Sequence, residues 1–165
     1  NLLEEGIDLA VRIGPLVDSS MIATDAGVMR QVVVASPRLL AETGIPTEPG
    51  TLATLPCVQF LGGRAQTSWP FVVEGRPMLI RVQPRLTVNQ ALPAAAACAA
   101  GLGFGRFLAY QVREHVRRGE LAIVLERYEP QPHPVSLLTT EARLMTQRLR
   151  RLRDALRAAL LAGQE

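Results

Sequence analysis

Three prolines in five residues, at Pro130, Pro132 and Pro134, forbid regular helix at the end of residues 126–133 and make that stretch a connector. A second break opens at Gly14-Pro15 and runs through residues 14–20. Between the two, residues 21–125 are long enough to enclose a core of their own. The flanks, residues 1–13 and 134–165, hold two strands and a helix, too little for an independent core. The expectation is a chain of two lobes joined by two crossovers at residues 14–20 and 126–133, with the first lobe incomplete and its opening elements upstream of Asn1.

Strand and helix signals alternate through the chain, which is the pattern of an α/β fold. Asp8-Leu-Ala-Val-Arg-Ile13 is a nearly continuous apolar run, suited to a strand buried on both faces of a parallel sheet. Gln31-Val-Val-Val-Ala35 is strongly β-branched and leads directly into a helix: Ser36 is placed to cap it, Pro37 suits its first position, and Gly44 suits a left-handed stop. A short helix over residues 49–55 precedes a strand at Val58-Gln-Phe60, and Gly62-Gly63 opens a polar loop. Glu74-Gly75, between Trp69-Pro-Phe-Val-Val73 and Met78-Leu-Ile-Arg-Val82, marks a β-hairpin whose Pro70 belongs on an edge.

Arg85-Leu-Thr-Val88 is a further strand, with Asn89 at the expected N-cap of an alanine-rich helix over residues 90–100. Residues 102–107 return as a glycine-dotted strand. The next helix, 108–118, has Leu108, Val112 and Val116 on one stripe and stops at Gly119. Strands at 121–125 and 134–139 precede a last helix, about 142–161, with Met145, Leu149, Leu152, Leu156 and Leu160 on one side and arginines on the other.

Composition narrows the function classes. No apolar run reaches the roughly 18–20 residues that cross a bilayer, and the N-terminus carries no signal-peptide pattern, which together favour the cytoplasm and no membrane partner. Cys57 and Cys98 lie 41 residues apart in apolar surroundings and read as buried thiols rather than metal ligands or a redox pair. The 18 basic residues are all arginine, against 15 acids, and a net charge of +3 attracts little nucleic acid by itself. The arginine face of the last helix therefore reads as a solvated face, having no aromatic for stacking and no helix-turn-helix partner.

Catalytic patterns are missing: there is no Gly-x-Ser-x-Gly, phosphate loop or His-Glu-x-x-His, and His115 and His133 have neither a carboxylate partner nor a nucleophile at a suggestive spacing. No catalytic residue, metal site or cofactor is expected. Gly101-Leu-Gly-Phe-Gly105 has the glycines of a dinucleotide-binding turn in the wrong order, after a helix and before a strand, so a nucleotide role is rejected.

A binding cleft remains. Asn89 stands at a strand's end where a helix N-terminus favours an anion, and reads equally as a plain cap or a ligand contact. Arg12-Ile-Gly-Pro15 and Arg106-Phe107 can bring cationic groups and backbone donors to the same cleft; the competing role for Arg12 and Arg106 is surface or interlobe pairing.

The ordered motifs resemble the effector-binding domain of LysR-type transcriptional regulators. The landmarks are Gly6-Ile-Asp-Leu-Ala-Val-Arg-Ile-Gly14, Val32-Val-Val-Ala-Ser-Pro37 with Leu40, Gly44 and Pro46, and Trp69-Pro-Phe. They continue with Val88-Asn89, Gly101-Leu-Gly103, Gly119-Glu-Leu121, Tyr128-Glu-Pro130, Pro134-Val and the Arg-rich last helix. The resemblance implies a type 2 periplasmic-binding-protein-like fold in which a small organic effector binds between two lobes. It also implies a homo-oligomer, a dimer or tetramer, that meets DNA only through an N-terminal winged helix-turn-helix domain absent here. By position it places the effector site at Arg12, Ile13, Gly14, Pro15, Asn89, Gln90, Arg106 and Phe107, with Phe60 as a weaker candidate. Many relatives have proline where Leu108 stands, which bears on the shape of the pocket wall. The alternatives are an extracytoplasmic solute-binding protein of the same fold, which a signal peptide upstream would reveal, and a small α/β enzyme, which turnover of a bound acid would reveal.

Overall fold

A computed structural model of the chain describes residues 7–16, 21–61, 68–139 and 146–162. In chain order the strands and helices are β1 (Leu9–Ile13), β2 (Ile22–Met29), β3 (Gln31–Ala35), α1 (Pro37–Thr43), β4 (Cys57–Phe60), β5 (Ser68–Val73) and β6 (Arg76–Arg81). They continue as β7 (Pro84–Val88), α2 (Ala91–Ala99), β8 (Phe104–Leu108), α3 (Ala109–Arg117), β9 (Ala122–Val124), β10 (His133–Thr139) and α4 (Gln147–Ala162). Short 3-10 turns occupy Pro49–Ala53 and Glu126–Tyr128. The first stands where a short helix is expected, and the second is all the helix that the proline-rich connector admits.

Two compact units divide the chain: residues 1–29 with 132–165, and residues 30–131. The first contains a sheet of order β1-β10-β2, all antiparallel. Here the sequence expectation is corrected, because β1 is not buried in a parallel sheet: it pairs antiparallel with β10, and Val11 is 48% exposed. The strand β2 is likewise unexpected. Asp25 and Gly27 break its alternation, and the structure absorbs them in a bulge against β10 between Pro134 and Ser136, where Gly27 takes a φ of 97°. Pairing of β2 with β10 carries the first unit to Met29, and the chain passes to the second unit at Met29 to Arg30. The helix α4 presents Leu149, Leu156 and Leu160 half-buried and ties to β2 through Arg157 Nε, which donates to the Asp25 carbonyl at 2.7 Å. Leu152, expected on that stripe, is half-exposed, and Met145 lies outside the described residues.

In the second unit a five-stranded sheet has the order β7-β4-β8-β3-β9. β4 is parallel to β7 and to β8, whereas β3 runs against both β8 and β9. Alternation along β3 builds a core on each face: Val33 and Ala35 join Leu39, Leu52, Trp69 and Phe104, while Val32 and Val34 join Ala95, Cys98, Phe107 and Val112 beneath α2 and α3. The cap of α1 is as the sequence indicates: Ser36 Oγ accepts from the Leu39 amide at 3.2 Å, Pro37 takes the first turn, and Gly44 follows at φ 82°. The hairpin β5–β6 also forms as expected, turning through Glu74 and Gly75 at φ 50° and 75°, the doubly left-handed turn that matches strand twist. The loop expected at Gly62-Gly63 lies outside the described residues.

Candidate functional site

The register of the second unit's sheet gathers polar side chains at one end. Cys57 is opposite Phe104 and Val58 opposite Gly105 in the parallel pair β4–β8. Cys57 and Phe104 belong to the Trp69 core, and Val58 to the core under α2 and α3. One residue further along, Gln59 and Arg106 therefore fall on the Trp69 face. Thr87, opposite Gln59 in β7, joins them, and Gln59 Oε1 accepts from Trp69 Nε1 at 3.4 Å. From β3, which runs the other way, Gln31 Oε1 accepts from Arg106 Nη1 at 2.9 Å. Thr87, Gln59, Arg106 and Gln31 thus line the carboxyl ends of β7, β4 and β8, the end at which open α/β sheets hold ligands.

Arg106 is the electrostatic centre of this row. It is half-buried, has a neutral amide as its partner, and makes no ion pair among the described residues. Burial disfavours its charged form and brings its pKa down to about 10, far enough above neutrality that the guanidinium stays cationic. A desolvated cation held by one amide retains several N–H donors in the fork that suits a carboxylate.

Other sequence candidates are distributed around this group. Phe60 stacks on Phe107, with ring centroids 6.3 Å apart and planes 13° apart. Phe107 is fully buried on the opposite face from Arg106, so its ring supports the sheet from behind rather than lining the polar row. Asn89 and Gln90 are exposed at the end of β7. The expected cap is corrected here: Gln90, extended at φ −127° and ψ 140°, is the N-cap of α2, and its side chain makes no capping hydrogen bond. With the helix starting one residue later than expected, Asn89 is left outside it.

Arg12, Ile13, Gly14 and Pro15 sit in the first unit. Arg12 Nε donates to the Pro15 carbonyl at 3.3 Å, and Gly14, at φ 112°, donates its amide to the Pro134 carbonyl at 2.9 Å. That bond joins the ends of β1 and β10, and the positive φ explains a glycine at position 14 by backbone geometry.

Gln31, Gln59 and Thr87 were not among the sequence candidates. A signal was present for two of them: Gln31 and Gln59 are the polar members of otherwise apolar strands, and a buried amide needs a partner. His115 also differs from expectation, for Glu120 Oε2 lies 2.6 Å from its Nδ1 just past the end of α3. The two cysteines are free and buried, and burial pushes both thiols up to about 12. Among the described residues no group of His, Cys, Asp and Glu is placed to hold a metal, and no helix is long and apolar enough to cross a membrane.

Residues 1–161 match the family described as LysR substrate binding domain. The chain belongs to the LysR substrate-binding domain family. Among its relatives is the HTH-type transcriptional activator AaeR of Escherichia coli K12, 31% identical over 142 residues that make up 86% of this chain and 46% of that protein. The chain thus spans about half the length of such a relative. The regulatory domain of CrgA, a LysR-type transcriptional regulator from Neisseria meningitidis, superposes with a TM-score of 0.81 at 25% identity, covering 96% of this chain and 78% of that one. The effector domain of AmpR from Pseudomonas aeruginosa shares the fold at a TM-score of 0.73 and 16% identity, over 99% of this chain and 79% of that one. The LysR domain fold is the periplasmic-binding-protein-like α/β architecture that the resemblance implies.

Proposed function

We propose that this LysR domain senses a small organic anion held by Arg106, with the Gln31, Gln59 and Thr87 side chains as neighbouring hydrogen-bonding groups. The observation that carries the reading is the half-buried Arg106 guanidinium, whose partner is an amide and not a carboxylate. A carboxylate there gains charge-assisted hydrogen bonds from a cation that has already given up part of its hydration, so the desolvation that opposes binding falls mainly on the ligand. Asn89 and Gln90 stand beside the row at the end of β7, Phe60 and Phe107 back it through the sheet, and Arg12 to Pro15 are the contacts proposed from the first unit.

In the full regulator, occupancy of this site would shift the equilibrium between conformations and so alter operator binding by a winged helix-turn-helix domain. A cytoplasmic dimer or tetramer, acting without catalysis, completes the proposal. Thermal-shift measurements on the full-length regulator test it, using benzoate, phenylacetate, acetate and succinate, with benzamide as the neutral control. A carboxylate at a hundred times its Kd adds about 2.7 kcal/mol of stability. The reading predicts such a shift for at least one acid and none for the amide; stabilisation by benzamide alone contradicts it.

A further inference from the structure

The chain passes between its units twice, from Met29 to Arg30 and from Gln131 to Pro132. On the first unit's side the two passages are already tied, because Met29 pairs with His133 in the β2–β10 ladder. On the second unit's side backbone pairing ends, and side chains take over. Arg30 Nε donates to Glu129 Oε2 at 2.9 Å, while Nη2 donates to Glu129 Oε1 and to Glu126 Oε1, each at 2.8 Å. The Glu129 side chain is 14% exposed, so its fork with Arg30 is the better shielded of the two pairs; Glu126 is largely in water.

The backbone of Arg30 is anchored as well: its carbonyl accepts from the Ala109 amide at 2.9 Å, where α3 begins. Residues 130–132 offer the alternative of independent motion, since Pro130 and Pro132 remove two amides from any local hydrogen bonding.

We infer that Arg30 is a hinge pin: by chelating Glu129 and Glu126 it binds the incoming chain to the outgoing chain, so that the two connections between units deform together and not separately. Its role is positional and touches no ligand. The neighbouring residue, Gln31, holds Arg106, so the pin and the amide that positions the proposed anion anchor are adjacent in the chain. The pin nevertheless stands apart from the effector reading, because it joins two segments of backbone whether or not Arg106 binds anything.

Hydrogen–deuterium exchange on the full-length regulator without effector tests the inference. Arg30→Gln is expected to speed exchange of amides in residues 126–131 by about two- to fivefold and to raise it at residues 27–30 alongside. Amides of β3 and β8 keep their protection, which separates loss of the pin from unfolding. Glu129→Gln removes the same fork from the other side and should reproduce the effect, the double variant adding little to either single change. The reversed pair, Arg30→Glu with Glu129→Arg, restores slow exchange, and Arg38→Gln, which breaks an exposed ion pair of α1, leaves both segments unchanged. Wild-type exchange in residues 126–131 of both Arg30→Gln and Glu129→Gln overturns the inference, as does failure of the reversed pair to restore it.

Discussion

Replacing Gly103 by alanine isolates one packing constraint in the glycine-dotted strand. A Cβ on Gly103 would lie 2.7 Å from the Pro56 carbonyl oxygen and 2.9 Å from the carbonyl carbons of Pro56 and Cys57. All three are backbone atoms of the segment entering β4, and the Phe104 amide donates to that same Pro56 oxygen at 2.8 Å. Relief therefore requires β8 to separate from β4. Overpacking of this kind costs about 1–3 kcal/mol, and weakening the adjoining hydrogen bond about 1 kcal/mol more. Alanine's smaller unfolded-state entropy returns about 0.4–1 kcal/mol. The net loss is about 1–3.5 kcal/mol, or about 2–14 °C in Tm for a domain of this size. Urea unfolding followed by the fluorescence of Trp69, the single tryptophan and a fully buried member of this core, reports on the second unit directly. Gly50→Ala is the control, since its Cβ meets nothing within 4 Å. If Gly103→Ala unfolds within about 0.5 kcal/mol of Gly50→Ala, the close-approach explanation is wrong.

Ser36→Ala removes the acceptor for the Leu39 amide and should lower stability by about 1 kcal/mol in the same assay. Cys57 and Cys98 should resist a thiol reagent in the native protein at pH 8 and react at the rate of unfolding; fast labelling of either would contradict their burial. Because both thiols titrate near 12 when folded and near the ordinary thiol range when unfolded, the stability they contribute is complete below about pH 8.5. It declines from there towards pH 12, so urea midpoints of the Cys57→Ala, Cys98→Ala protein should fall less over that interval than those of wild type.

The parts of the fold set by local chemistry were legible in the sequence. The β-branched strand Gln31–Ala35, its Ser36-Pro37 cap and the Glu74-Gly75 turn are each specified within a few residues, and the structure has them. Partner choice was not legible. The apolar run of β1 has the pattern of a strand covered on both faces of a parallel sheet, yet it pairs antiparallel with β10 and leaves Val11 exposed, so the run alone does not fix the partner. The bulge of β2 places Asp25 and Gly27 where strand alternation does not put them, so its sequence lacks the period of a strand.

The glycines of 101–105 show the same division. Gly101 has φ 85°, which a helix stop makes foreseeable, whereas Gly103 is dictated by backbone remote in sequence, at Pro56 and Cys57, and Gly105 by the ring of Phe107 folded back over it and by Cys98 Sγ. In the candidate site, Arg106 was identifiable as a cation at a strand's end. Gln31, Gln59 and Thr87 become its neighbours only through the strand order β7-β4-β8-β3, which no local pattern encodes.

The measurement that bears most directly on the proposed anion site is calorimetric titration of the full-length regulator with the acid that gives the largest thermal shift, comparing wild type with Arg106→Gln and Arg38→Gln. Loss of a charge-assisted pair in a desolvated site lowers affinity by about ten- to a hundredfold. Arg106→Gln should show that loss and Arg38→Gln, on the exposed face of α1, should not. Wild-type affinity in Arg106→Gln would mean that the effector is held elsewhere and that the half-buried guanidinium serves only the sheet.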